Sequence, residues 1–122
     1  MASEGYHEDP GSLGEETVER HRALVSLMEE LEAVDWYQQR IDATRDQALK
    51  AILAHNCDEE KEHAAMLVEW LRRHDEELDR QLRTYLFTHA DITAAEEEAV
   101  PADKADDGSL GIGSLQAREA GA

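Results

Sequence analysis

The 122-residue sequence predicts an all-α protein: an antiparallel two-helix hairpin followed by a shorter C-terminal helix. Three observations carry that expectation. Apolar residues recur at steps of three and four through two long stretches that contain no glycine or proline. A helix-start signature precedes each of them, and nothing in the body alternates apolar with polar residues as a strand would.

Residues 1–11 (MASEGYHEDPG) are small, polar and turn-forming, and read as a flexible arm. Ser12 and Glu15 make an S-x-x-E capping box, so a helical domain over 12–90 is expected to open there. Along the first helix Leu24, Leu27, Leu31, Val34 and Ile41 hold the helical spacing, broken only at Gln38. Asp42, Thr44 and Asp46 interrupt it, and Thr44 with Gln47 forms a T-x-x-Q box, which predicts a second helix from about Arg45 to about His74. A third helical stretch, DEELDRQLRTYLF, gathers Leu78, Leu82, Tyr85 and Leu86 on one face. Residues 91–109 then read as an acidic linker, with one short helix opened by Thr93 and Glu96 before Pro101. The tail, 110–122, carries an apolar island, LGIGSL, whose Leu110, Ile112 and Leu115 suit an extended peptide laid in a partner's apolar groove.

The charge balance narrows the partners. Asp and Glu total 29 against 12 Lys and Arg, a net charge of -17, which disfavours nucleic acid and anionic membrane surfaces and favours cations. No apolar run is long enough to span a bilayer and no secretory leader opens the chain, so a soluble, cytoplasmic protein is expected. The single cysteine, Cys57, cannot form an internal disulfide or a thiolate cluster within one chain, and reads as an incidental thiol.

Two glutamates and a histidine interrupt the apolar stripes. On the second helix the stripe runs Leu49, Ile52 or Leu53, Asn56, Glu60, His63, Leu67, Trp70 and His74; on the first it runs Ala23, Leu27, Glu30, Val34, Tyr37 and Ile41. Turning a carboxylate inward without compensation costs several kcal/mol. If the chain reverses near Thr44, Glu30, Glu60 and His63 lie 14, 16 and 19 residues from the turn. At the helical rise these are roughly 21, 24 and 28 Å, nearly one level. One chain then offers two carboxylates and one imidazole, and a second copy about a two-fold axis completes the four-helix di-iron set of two Glu and two Glu-x-x-His. Two divalent cations would balance those four carboxylates. Iron or manganese suits such donors, and zinc could also occupy them. A plain Glu-His hydrogen bond at a helix edge is the competing reading.

Weaker constellations flank this one. Val25, Glu29, Glu32 and Trp36 make a second stripe on the first helix, either a solvated face or a holding point for a cation approaching the centre. His55, Glu59 and Glu62 form an outward strip on the second, either a plain acidic surface or a further metal site. Tyr37 reads as core, with electron transfer to a nearby metal as an alternative.

The segments MEELEAVDWYQQR, AHNCDEEKEHAAM, EWLRR and RTYLFT strongly resemble the encapsulated ferritins, and the C-terminal GSLGIGSL resembles the peptide by which such cargo docks inside encapsulin shells. The resemblance implies a ferritin-like four-helix di-iron site completed by dimerisation, with homodimers arranged in an annular decamer. It implies Fe(II) oxidation by oxygen inside an encapsulin nanocompartment, with the mineral stored by the shell. Glu30, Glu60 and His63 would be the iron ligands, and Glu29 and Glu32 beside Trp36 the site of metal approach. His55, Glu59 and Glu62 match an additional surface metal site of relatives, whereas Cys57 stands where a polar residue is expected. A non-catalytic metal-binding or scaffold protein of the same helical architecture is the alternative function, and an oxidase of an organic substrate is another.

Overall fold

The structure, a computed structural model, describes residues 5–98, and over these it consists of helices and turns. Helix α1 runs Glu15–Ala43, α2 Gln47–Arg73, α3 Glu76–Tyr85 and α4 Ala95–Glu98. The expected linker beyond residue 98, and the tail with Leu110, Ile112 and Leu115, lie outside the described residues.

Side-chain capping differs from expectation at both hairpin helices. Ser12 spends its hydroxyl on the Asp9 carbonyl, at 2.7 Å, inside a 3-10 turn over Pro10–Ser12. Helix α1 therefore starts from Gly14 without a side-chain cap, and Glu15 and Glu16 meet the positive end of its dipole instead. At α2 the Thr44 hydroxyl accepts from the Asp46 N–H at 3.2 Å, and Asp46 takes over the cap by accepting from the Leu49 N–H at 3.1 Å. The turn between the helices is thus built from two short polar side chains in series.

Three cross-contacts set the direction of the pair. Arg20 reaches the His74 carbonyl at 2.9 Å, Glu30 lies 3.4 Å from His63, and the Cys57 Sγ lies 3.7 Å from the Val34 carbonyl. Numbers rise along α1 as they fall along α2, as an antiparallel hairpin requires. Its buried seam is made of Ala23 on α1 and Cys57, Ala64 and Leu71 on α2. Mostly small side chains let the helix axes approach closely.

The seam on α2 runs one residue later than the sequence stripe at each step: Cys57, Ala64 and Leu71 are buried, while Asn56, His63 and Trp70 are half-buried. The rotation has a physical reason. It seats small apolar groups between the helices and moves Glu60 and His63 to the rim, where desolvation costs less. Cys57, at 2% exposure, is a core residue.

Large apolar side chains remain outside the seam. Leu24, Met28 and Leu31 on α1 and Leu49, Ile52 and Met66 on α2 are all exposed. Burying a side chain of this size contributes about 1.5–3 kcal/mol. A seam of three small residues and one leucine uses little of that available stabilisation.

Residues from Asp75 form a second compact unit. Asp75 caps α3 by accepting from the Leu78 N–H at 3.0 Å, and Glu76, Glu77 and Asp79 fill the first turn. Phe87 follows α3 with φ of 62°, a left-handed conformation uncommon for a bulky residue. A 3-10 turn over Ile92–Ala94 then leads into α4, where Ala95 is buried.

Candidate metal centre

Glu30 projects from the middle of α1, and Glu60 and His63 project from the middle of α2, one turn apart on a single face. Their position far from both helix ends gives them rigid backbone, and the antiparallel register brings them to one level. His63 Nδ1 lies 3.4 Å from Glu30 Oε1 and 3.4 Å from Glu60 Oε1. One ligand atom from each of the three falls within 4.8 Å of the others, a span that a single metal ion could bridge. All three side chains are partly open to solvent, His63 the most at 43%.

The electrostatics are those of like charges converging. The Glu30 carboxyl is held above its ordinary pKa, first because it can share a proton with Glu60, then through burial and the Glu60 charge, with His63 acting in the opposite direction. For His63, burial works against the imidazolium, and hydrogen bonds and charge from Glu60 and Glu30 outweigh it, so its pKa is raised. No Lys or Arg among the described residues contributes to the Glu30 shift. The converging acids therefore favour a proton or a cation between them.

The flanking candidates are less closely gathered. His55 Nε2 pairs with Glu59 Oε2 at 3.1 Å on the surface of α2, but Glu62 does not join them in a three-ligand group. Glu29 and Glu32 stand one turn apart on α1 with Trp36 a turn further on, again without a third ligand. Trp36 is half-exposed and borders a shallow depression with Gln39 and Arg40. Arg40 also lies over the Tyr37 ring, 5.6 Å from its centroid. Among the described residues Glu30, Glu60 and His63 are the one cluster of three or more His, Cys, Asp or Glu with this geometry. The inter-helical ties at Arg20 and Cys57 were not legible as contacts from spacing alone.

The EncFtn-like family profile matches residues 5–89, which include all of the hairpin and α3. This chain belongs to the EncFtn-like family. The encapsulated ferritin-like protein of Rhodospirillum rubrum is 57% identical over 131 residues, covering 98% of this chain and 94% of that protein. The encapsulin nanocompartment cargo protein EncC of Myxococcus xanthus is 36% identical over 104 residues, with 75% and 80% of the two chains covered. Among solved structures, protein ne0167 from Nitrosomonas europaea superposes with a TM-score of 0.70 at 60% identity, covering 72% of this chain and 97% of that one. The encapsulated-ferritin resemblance and the all-helical, ferritin-like fold expected from the sequence are therefore borne out.

The EncFtn-like triad also suits the metal that a ferritin-like family suggests. Two carboxylates and one imidazole are hard and borderline donors appropriate to iron. The raised pKa of Glu30 marks two converging acids whose mutual effect outweighs the opposing influence of His63. Among the described residues no helix is long and apolar enough to cross a membrane.

Proposed function

We propose that this EncFtn-like chain is a ferroxidase that oxidises Fe(II) to Fe(III) with O2 at a di-iron centre formed between two copies, as cargo of an encapsulin shell. The observation that carries the reading is the convergence of Glu30, Glu60 and His63 on the rim of a hairpin that leaves Leu24, Met28, Leu31, Leu49, Ile52 and Met66 exposed. Half a di-iron ligand set therefore sits on a hairpin with large apolar side chains that association could bury.

Iron is the substrate here. Glu30 and Glu60 of two chains bring four negative charges to the centre, matching two Fe(II) ions, and His63 of each supplies a nitrogen donor. Binding Fe(II) offsets the mutual repulsion of Glu30 and Glu60 that helps to raise the Glu30 pKa. Each Fe(II) gives up one electron to O2. The four carboxylates then face six positive charges, an imbalance that favours release of Fe(III) to the mineral. Glu29 and Glu32 beside Trp36 would hold incoming cations weakly, as two acids one turn apart can, and His55, Glu59 and Glu62 would offer a further surface metal site.

The assembly belongs to the same reading: homodimers through the exposed apolar side chains, arranged in an annular decamer, and docking of the tail through Leu110, Ile112 and Leu115 in an encapsulin groove within a cytoplasmic nanocompartment. The named cargo relative of Myxococcus xanthus supports the shell partner. The test is aerobic addition of Fe(II) followed by absorbance of the ferric product. Glu60→Ala and His63→Ala should oxidise iron far more slowly than wild type. Equal rates would remove the enzyme and leave a metal-binding protein.

A further inference from the structure

Asn56 lies on α2 one helical step of four before Glu60, in the stripe that otherwise holds apolar side chains and the metal-site residues Glu60 and His63. It is half-buried, and its carboxamide makes no hydrogen bond to any described residue. Its neighbour Cys57 turns into the seam against Val34, so the two consecutive residues diverge, one to packing and one to the rim that carries the triad. Residues four apart on a helix are surface neighbours, with about 5–6 Å between their Cβ atoms. Helical side chains also lean toward the N-terminus, so Glu60 reaches back over the turn that presents Asn56.

We infer that Asn56 is a positioning residue, whose side-chain amide donates to the Glu60 carboxylate oxygen left free when the other oxygen binds metal. The inference rests on the metal-site reading above. In the described state Glu60 Oε1 faces His63 at 3.4 Å and Glu30 also hydrogen-bonds Glu60, so the Asn56 amide would find its acceptor once metal takes up Glu30 and His63. The choice of a neutral donor has a chemical reason: a lysine or arginine there would orient the carboxylate but cancel charge the cation needs. An amide orients it and leaves the charge intact. An apolar residue would satisfy the stripe and orient nothing.

The test uses the full-length chain and anaerobic titration with Co(II), read from its visible absorption, so that binding is measured without turnover. Asn56→Leu should retain the helical fold and weaken Co(II) binding about 10–100-fold, the usual effect of losing a partner of a metal ligand. Asn56→Gln keeps a donor and should stay close to wild type. Wild-type affinity in Asn56→Leu, or equal weakening in both variants, would overturn the inference. The His63→Ala chain separates the two claims. If it binds Co(II) as wild type does, the site reading fails and the role of Asn56 fails with it. If it loses binding while wild type leaves Fe(II) unoxidised, the ferroxidase reading alone fails.

Discussion

Replacing Glu30 by glutamine should stabilise the metal-free protein while destroying its iron chemistry. The carboxylate oxygens of Glu30 and Glu60 come within 4.8 Å. Two unit charges at that separation repel by about 1 kcal/mol in a water-like medium and about 3.5 kcal/mol at an effective dielectric constant of 20. Side-chain exposures of 26% and 23% place the site toward the screened limit, so about 1 kcal/mol is expected. Glutamine keeps the shape of the acid and can donate to Glu60, as protonated Glu30 does. For a domain of this size that corresponds to a rise in Tm of about 4–8 °C. The sign with pH follows from the raised pKa of Glu30. Above the ordinary value of 4.5 the folded wild type holds a proton that the unfolded chain has released, so its stability falls as pH rises through that window. The advantage of the variant should open across the same window and level off once Glu30 has ionised. The assay is thermal unfolding by circular dichroism in excess chelator at pH 8, at one protein concentration, with Fe(II) oxidation measured in parallel. A Tm equal to or below wild type would refute the idea that the two acids oppose one another in the fold.

Other outcomes follow from the same coordinates. Leu71→Ala should cost about 2–5 kcal/mol in urea unfolding, because Leu71 is the one large side chain fully buried in the hairpin seam. Ile52→Lys should leave the hairpin folded but weaken self-association, and Fe(II) should promote association of the wild type but not of this variant, both read by sedimentation. Glu69 is held down to about 2, chiefly by its hydrogen bonds with Arg72 and, more weakly, with Arg73 against the opposing cost of burial. Its depressed pKa gives stability that is present above 4.5 and lost as pH falls through about 2. Since 43% of the side chain is exposed, Glu69→Gln should lower stability at neutral pH by only about 0.5 kcal/mol, a difference that should vanish in acid.

Much of the site was legible because it depends on counting. A Glu-x-x-His pair shares a face by helical geometry, and equal distances from a turn set Glu30 level with Glu60 and His63, as the 3.4 Å approaches show. The caps were less legible. Ser12 and Thr44 have the right spacing for capping boxes, but each hydroxyl found a closer partner in a neighbouring turn, an outcome that depends on local φ and ψ rather than on residue type.

The amino-acid order by itself determined that this protein is a helical hairpin and which acids and imidazole could meet, since periodicity and turn position are local properties. Tertiary packing alone decided how far α2 is rotated about its axis. That choice placed Cys57, Ala64 and Leu71 between the helices and left Glu60 and His63 at the rim. The physical reason is that a stripe several residues wide fits more than one rotation, and the close approach of the helices, together with the cost of desolvating charge, selects among them.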